Sequence, residues 1–419
     1  MPSHPPCQPT DQARTLDPSG TEQRAALFTP YLTPPELAEV RRRMLAHAGD
    51  WEALFAQASV HIAGGAAPRS DQAQILARRW ADLFRAAYAG DDDALDGKVR
   101  DAFAREPGLT AHIDIGLIDF MRQALMHLHR PALAHGEAGE AGPKPSARGT
   151  AILRAVHQLL DAPLILDDPL ALTILGPAQE AALRADARRH RNPIGGTLRA
   201  TMAVRSRLAE DSWRQARRDG VRQYVILGAG LDTSAYRDGA PADVDVFEVD
   251  LPATQRWKRD CLRAAGIAAP PNLRYVALDF SDATLERGLT ASGFDPARPA
   301  MFSWLGVSMY LPAHCVLHTL RYMARCAPGS AIVFDFLMAP ALLAPSERAG
   351  LALMAAGLAE QGEALQSHFD PAALEAMLRR AGFARVAHWD ARALSRRYLS
   401  ERDDGLRLST VFGMIEAGV

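Results

Sequence analysis

The stretch that most constrains this chain is a predicted strand, glycine turn and helix within residues 221–237, VRQYVILGAGLDTSAYR. Residues 224–227 are aromatic, β-branched and aliphatic, which predicts a buried parallel strand. Gly228 and Gly230 follow directly, and glycine suits a turn that bends sharply and lies close to a ligand. Residues 231–236 then begin a predicted helix. A unit of this kind binds a nucleotide-like cofactor.

An acidic residue strengthens this interpretation. Asp250 ends a second predicted strand, residues 245–250, and lies 22 positions after Gly228. An acid near that offset can accept hydrogen bonds from a ribose, although one acid alone is equally typical of a solvated strand end. Thr233 replaces the third glycine of a full G-x-G-x-x-G, and no P-loop G-K-[ST] follows. The turn and the acid together predict an adenosine-containing cofactor.

Composition excludes several classes of protein. With 419 residues, 48% hydrophobic and 23% charged, the chain has the profile of a globular protein of two or three domains. Its net charge of −2 favours neither nucleic acid nor an anionic membrane as partner. The four cysteines lack disulfide or metal spacing, which is typical of a reducing cytoplasm. We expect a cytoplasmic protein with no signal peptide, no membrane span and no metal.

Changes in composition along the chain predict its domains. Pro, Ser, Thr and charge at the start indicate a disordered tail, and apolar stripes at helical spacing follow. In that helical part, Thr33, Asp50 and Ser70 are predicted helix caps. A stretch of Gly, Pro and charge then indicates a linker. The predicted parts are a tail at 1–25, a helical domain at 26–135, a linker at 136–148 and a second domain at 149–419.

The second domain alternates strands with helices, which predicts a doubly wound parallel α/β sheet. Further strands are predicted at 273–278, 300–304, 330–336, 385–389 and 410–416. Residues 345–366 are predicted to form a helical insertion that caps the sheet. Ligands of such sheets bind at the carboxyl ends of the strands. Asp279 and Phe280 follow the third strand, so we expect Asp279 at an adenine amino group and Phe280 against the ring.

Several charged and aromatic residues are candidates for the substrate side. Arg199, Arg205 and Arg207 precede the first strand and could bind a carboxylate through a planar bidentate fork, or be surface charges. Tyr310 could position a substrate or simply pack. His314 is the nearest general base, and its i, i+4 spacing to His318 does not form a zinc motif.

The first domain resembles the ligand-recognition domain of TipA-type regulators. The matching stretches, within residues 27–130, are WEALFAQA, QILARRWADLFRAAYAGDDDAL and FAREPGLTAHIDIGLIDFMRQAL. The resemblance implies a small globin-like helical fold that binds thiopeptide-like antibiotics. In that family a DNA-binding helix-turn-helix normally precedes the domain, and we expect none in this chain. The alternative is a helical accessory domain whose Trp and Phe stripes are core.

Residues 149–419 resemble the leucine carboxyl methyltransferase family, in its bacterial branch tied to secondary metabolism. The matching stretches include VILGAGLDTSAYR, VFEVDLPATQRWK, NLRYVALDF, FDPARPAMFSWLGVSMYLP and FDPAALEAMLRRAGF. The resemblance implies a Rossmann-like class I methyltransferase that uses S-adenosylmethionine. Some members carry Glu where this chain has Leu305.

The resemblance also implies roles for individual residues. Arg205 would bind the cofactor carboxylate, and with Tyr310 and Arg199 would position the acceptor. A carboxylate acceptor, already ionised near pH 7, needs in-line placement and desolvation rather than a base. The implied cofactor-binding residues are Arg205, Gly228, Gly230, Asp232, Asp250, Leu251, Asp279, Phe280 and Trp304.

The leading hypothesis is therefore an O-methyltransferase that esterifies a carboxyl group on a natural product or peptide. A second hypothesis is a ligand-sequestering or sensing protein with a degenerate methyltransferase domain, favoured only by Leu305. An NAD enzyme is the third, and the missing third glycine and the family resemblance disfavour it.

Overall fold

The computed structural model describes residues 18–128, 143–237, 243–279 and 285–419. These residues form two compact units. The first comprises the described residues up to Leu128 together with Asp403–Gly405, and the second comprises the others. The predictions for residues 1–17 and 136–142 lie outside the described residues.

The first unit is built from helices at its described positions, as predicted. Their bounds are α1 (Pro18–Ala26), α2 (Pro34–Ala46), α3 (Ala48–Ala63), α4 (Asp71–Tyr88), α5 (Asp93–Arg105) and α6 (Ile115–Leu128). Ser70 caps α4 as expected, because its Oγ accepts a hydrogen bond from the Ala73 N–H at 3.3 Å.

The prediction that Asp50 caps a helix is wrong. Helix α3 begins two residues earlier, at Ala48, and His47 occupies the cap position. Asp50 lies in the first turn, where its carboxylate is 2.9 Å from His47 Nδ1. An acid there also stabilises a helix, because it interacts with the positive end of the helix dipole.

Aromatic rings fill the core of the helical unit. Trp51 packs against Phe55 and Trp80, with ring centroids 5.5 and 5.0 Å apart. A second cluster surrounds the fully buried Phe28 and includes Tyr88. These contacts explain the Trp and Phe stripes as core packing. The globin-like fold and its ligand stay predictions.

The second unit contains a seven-stranded sheet. Its strands are β1 (Gln223–Leu227), β2 (Asp245–Asp250), β3 (Leu273–Ala277), β4 (Ala300–Trp304), β5 (Ala331–Leu337), β6 (Arg385–Trp389) and β7 (Phe412–Gly418). The spatial order is β3-β2-β1-β4-β5-β7-β6. Helices cover the sheet, and apolar clusters lie on its two faces. The predicted doubly wound α/β architecture is confirmed.

The strand order reverses between β1 and β4. From β1 the chain proceeds outward to β2 and β3, whereas β4 pairs with the other side of β1. The crevice at the carboxyl ends of β1 and β4 is therefore the topological switch point at which such sheets bind ligands.

The sheet departs from an all-parallel arrangement at β7. This strand lies between β5 and β6 and runs antiparallel to both. The direction of β7 follows from the position at which this strand begins. The N–H of Met338, just after β5, donates to the carbonyl of Val411, just before β7, at 2.9 Å. The chain thus starts β7 at the carboxyl edge of β5 and must run the opposite way.

Helices of the second unit are α7 (Pro145–Leu160), α8 (Pro177–Ala185), α9 (Pro193–Arg218), α10 (Pro252–Ala264), α11 (Leu285–Ala291), α12 (Ala313–Met323), α13 (Pro345–Ala359), α14 (Pro371–Ala381) and α15 (Ala391–Tyr398). Helix α13 lies within the predicted capping insertion. Helix α7 begins at Pro145, inside the predicted linker, because proline is favoured in the first turn of a helix. Among the described residues, no helix is both long and apolar enough to cross a bilayer.

Two leucines of the second unit provide a matched test of this core. Leu320 on α12 is 1% exposed, whereas Leu342 is 52% exposed. We expect Leu320→Ala to lower the free energy of unfolding by about 2–5 kcal/mol, because it leaves a cavity. Leu342→Ala should change it by less than about 0.5 kcal/mol. Chemical denaturation of the full chain measures both, and equal losses would contradict this packing.

Candidate active site

The glycine turn after β1 is fastened to the neighbouring strand. The N–H groups of Gly228 and Ala229 donate to the Val249 carbonyl at 2.8 and 3.1 Å. Gly228 has φ +64° and Gly230 has φ +46°, a region that side chains disfavour. A Cβ on Gly228 would also overlap Cγ2 of Val307, which follows β4. Both the conformation and the space at Gly228 require glycine.

The predicted helix after this turn is wrong. Only Ser234–Tyr236 form a short 3-10 turn. Asp232 is the cause: its Oδ1 accepts hydrogen bonds from the Ser234 N–H at 2.7 Å and the Ser234 hydroxyl at 2.5 Å. Such local side-chain bonds compete with helical ones. Asp232 is thus occupied in shaping the turn.

Burial works against the ionisation of Asp232, but nearby cations outweigh it. Desolvation alone would raise its pKa. The positive charges of Arg154 and Lys258, with the Ser234 hydrogen bond, hold the pKa of Asp232 below its ordinary value. The turn therefore carries a negative charge near neutral pH.

Asp250 ends β2 beside the turn. Its Oδ2 accepts a hydrogen bond from the Gly230 N–H at 2.5 Å, and its Oδ1 accepts one from the Leu251 N–H at 2.6 Å. Burial raises the pKa of Asp250, although these donors oppose the shift. The Thr254 side chain is a third donor to this carboxylate. A carboxylate has about four acceptor positions, so it can still accept a hydrogen bond from a ligand. Leu251 contributes its backbone here, at the cap of α10.

The third strand brings another acid to the same edge. Asp279 follows β3 and is exposed, while the Leu278 N–H before it donates to the Asp250 carbonyl at 2.9 Å. The structure thus places Asp250 and Asp279 on adjacent strand ends, as the sequence predicts. Phe280 lies outside the described residues, so its role stays a prediction.

Arg205 lies across the switch point, on α9. Its Nη1 donates to Asp335 Oδ2 at 2.7 Å, and both side chains are buried. Asp335 Oδ1 accepts a second bond, at 2.6 Å, from the N–H of Gly306 in the turn after β4. A Cβ on Gly306 would lie 3.0 Å from Arg205 Nη2. Arg205 therefore packs against the turn after β4 and is linked to it through Asp335.

Arg199 lies six residues before Arg205 on the same helix, in a different environment. Its Nε and Nη2 donate to the two oxygens of Asp161 at 2.7 and 2.8 Å, in a buried bidentate pair. Asp161 also contacts His157 Nδ1 at 2.7 Å. The fork of Arg199 is thus engaged within the protein, so a role in binding substrate stays a prediction that this geometry argues against.

Trp304, the last residue of β4, is fully buried. Its ring packs against Phe334, with centroids 6.1 Å apart. In this conformation the ring offers no surface to a ligand. Its predicted contact with a cofactor stays untested.

Tyr310 belongs to a cluster that the sequence did not predict. Ser146, in the first turn of α7, donates through its N–H and its hydroxyl to the two oxygens of Glu363, at 2.8 and 2.7 Å. Burial, reinforced by the negative charge of Glu363, raises the pKa of Tyr310 to about 12. The neighbouring Ala147 lies 3.5 Å from where a Cβ of Gly230 would be. This cluster therefore adjoins the glycine turn.

Sequence reasoning missed Asp335, Ser146 and Glu363. Asp335 did leave a sign, because it is an acid within the apolar strand SAIVFDF. An acid on such a strand must find a cation or donors. Ser146 and Glu363 left none, since 217 residues separate them.

Comparison with known proteins agrees with this geometry. The family model described as leucine carboxyl methyltransferase matches residues 147–324, which hold β1 to β4 and the turns just described. Together with the relatives described next, this match identifies an S-adenosylmethionine-dependent methyltransferase. Within that class, residues 147–324 are similar to the leucine carboxyl methyltransferase family.

Three relatives are named as S-adenosyl-L-methionine-dependent methyltransferases. YktD of Bacillus subtilis is 29% identical over 279 residues, which is 61% of this chain and 91% of YktD. A Mycolicibacterium smegmatis protein is 35% identical, over 46% of this chain and 66% of its own length. A Rhodococcus jostii protein is 35% identical, over 45% and 64%.

Two solved structures are also similar at 18% identity. A protein of family DUF574 from Streptomyces avermitilis has a TM-score of 0.39 and covers 64% of this chain and 96% of its own. A methyltransferase assigned from Thermobifida fusca has a TM-score of 0.41 and covers 69% and 99%.

The glycine turn yields a stability prediction. Gly228→Ala should cost about 1–2 kcal/mol for its left-handed backbone, plus the overlap with Val307. Gly266→Ala is the control, because Gly266 has φ +73° but nothing within 4 Å of a new Cβ. We expect the larger fall in melting temperature for Gly228→Ala, and partial recovery in Gly228→Ala/Val307→Ala. Equal falls for the two single variants would refute the close approach.

Proposed function

We propose that this protein is an S-adenosylmethionine-dependent O-methyltransferase that methylates a carboxylate of a natural product or peptide in secondary metabolism. The observation that carries the proposal is the junction of the glycine turn with Asp250 at the switch point, where the Gly230 N–H binds the carboxylate at 2.5 Å. The match of residues 147–324 to the leucine carboxyl methyltransferase family model supports the carboxylate as acceptor.

The residues present fit an adenosine cofactor. Gly228 and Gly230 leave the turn without side chains, so a ligand can approach its backbone. Asp250 can still accept a hydrogen bond from a ribose hydroxyl, and Asp279 lies on the next strand end for the adenine amino group. When bound, S-adenosylmethionine supplies a methyl group on a positively charged sulfur.

Methyl transfer to a carboxylate requires the protein to position the acceptor, but not to remove a proton from it. A carboxylate is ionised above its pKa of about 4, so no base must remove a proton before it attacks in line. We assign Tyr310 and Arg205 to orienting this group, since both lie beside the β4 turn. We leave His314 out, because its side chain is exposed on α12.

We also propose that the helical unit recognises the larger part of the acceptor. The resemblance of residues 27–130 to the TipA-type antibiotic-recognition domain supports this role. It would account for a methyltransferase domain fused to a separate helical unit.

A ligand-sequestering protein is the competing proposal. Leu305, which stands where some family members have Glu, favours the sequestering protein. Its side chain packs against an apolar cluster, so it cannot make the polar contact that a Glu would make. Intact acids at Asp250 and Asp279 favour the enzyme. Cofactor binding separates the two.

Cofactor binding is the first test. We expect isothermal titration of the full chain with S-adenosylhomocysteine to give micromolar affinity, of about 8 kcal/mol. Asp250→Ala should weaken binding by at least about tenfold, because the ribose loses its charged acceptor. Asp260→Ala, an exposed acid on α10, is the matched control and should bind normally. No binding by the unaltered chain would eliminate the enzyme.

The acceptor chemistry gives a pH test. Tyr310, with a pKa of about 12, keeps its proton and remains a donor throughout the working range. A carboxylate acceptor is ionised over that range too, so methyl transfer should be nearly flat from about pH 6 to 9. A phenol acceptor would give rates that rise with pH. Radiolabelled methyl transfer to paired free acids and phenols distinguishes these outcomes.

The same assay tests Tyr310 directly. We expect Tyr310→Phe to lower methyl transfer by about 10–100-fold, because the acceptor loses an orienting donor. Its affinity for S-adenosylhomocysteine should be kept. Tyr322→Phe, which alters a buried tyrosine on α12, is the control and should leave the rate unchanged. Equal rates for both variants would remove Tyr310 from the site.

A further inference from the structure

A buried lysine lies behind the cofactor edge. Lys258 on α10 is 1% exposed, and its Nζ donates to Glu248 Oε1 at 2.7 Å. Nζ also lies 5.1 Å from the centre of the Tyr236 ring. Lysine is almost never fully buried without a partner, and hiding this ion pair costs solvation energy. Because burying the Lys258–Glu248 ion pair is energetically costly, we looked for a function of Lys258 other than packing.

The position of Lys258 is fixed by its helix. One turn earlier, the Gln255 side-chain N–H₂ donates to the carbonyls of Glu248 and Val276, at 2.9 and 3.0 Å. Helix α10 is therefore tied to both β2 and β3. These bonds hold the backbone of α10 at the position from which Lys258 contacts Glu248.

Three acids surround this lysine. Glu248 and Asp250 alternate along β2, so their side chains lie on the same face, roughly 6–7 Å apart. Asp232 lies in the adjoining turn. The charge of Lys258 favours the ionised form of all three. Without it, neighbouring carboxylates in a poorly solvated place would not all stay ionised.

The buried carboxylate of Glu248 needs the positive charge of Lys258 to stay ionised. It is completely buried, and its Oε2 accepts no hydrogen bond within the described part of the chain. Burial raises the pKa of Glu248, and Lys258 opposes that shift. Removing the lysine would leave a lone buried acid two residues from Asp250.

We propose that Lys258 is a positioning residue that keeps Asp250 ionised, so that this carboxylate can accept hydrogen bonds from the ribose of the cofactor. The inference rests on the proposed role of Asp250. The other titratable or charged groups that face this place from neighbouring elements are Arg154 on α7, Asp232 and Tyr236 after β1, and Tyr275 on β3 with Arg259 above its ring.

The pH dependence follows from the sign of the charge. Asp250 binds ribose best when ionised, and loss of a nearby cation raises the pH at which it ionises. Affinity for S-adenosylhomocysteine in a variant without Lys258 should therefore fall as the pH is lowered. The unaltered protein should keep its affinity over the same range.

The experiment is titration of S-adenosylhomocysteine into the full chain at several pH values. We expect Lys258→Met to bind about tenfold more weakly near pH 6.5, and within about twofold of the unaltered protein near pH 8.5. Lys258→Met/Glu248→Gln removes one charge of each sign and keeps a neutral pair. Its pH profile should return to within about twofold of the unaltered one. Circular dichroism confirms that each variant is folded.

The outcomes separate this inference from the proposed function. No binding by the unaltered chain, or unchanged binding by Asp250→Asn, defeats the proposed cofactor site itself. If those two behave as expected but folded Lys258→Met shows the unaltered pH profile, Lys258 is only structural. If the single variant does not fold, the double variant decides: an unaltered profile supports charge balance, and a profile that still falls at low pH overturns it.

Discussion

The hydrogen bond from the Gly230 N–H to Asp250 is the interaction on which the site depends. It joins the turn after one strand to the end of the next, and the Val249 carbonyl reinforces the junction through two further N–H groups. The turn can adopt this path only because glycine tolerates a positive φ and leaves room for Val307. Backbone geometry shapes the turn, and the Asp250 carboxylate both holds the turn in place and gives the site its charge.

Charge is distributed unequally around the crevice at the switch point. Acids gather at the ends of β2 and β3, whereas on the β4 side Arg205 is neutralised by Asp335. Buried pairs of this kind contribute little net stability, because desolvation offsets their attraction. Their value here is in orientation: Asp335 binds both an arginine and the Gly306 N–H, so one carboxylate fixes a helix and a turn together.

The strands were predictable because each is a short apolar run bounded by turn residues. Three of them, residues 245–250, 300–304 and 385–389, match residue for residue. Asp250 was predictable from its spacing to the turn. The remaining errors arise from side chains whose partners are distant or unexpected. Asp232 redirects the chain away from a helix, and Ser146 meets Glu363 only after the fold has formed. No window of local sequence contains such information.

The placement of β7 has a consequence for how the sheet is completed during synthesis. Strand β6 pairs within the described sheet only with β7, and β7 also provides the outer partner of β5. Because a ribosome releases the chain from its amino terminus, β1 to β5 emerge and can pair first, while β6 waits with both edges open. Exposed strand edges recruit other chains. The nascent protein is therefore most vulnerable to aggregation in the interval before Phe412–Gly418 leaves the exit tunnel.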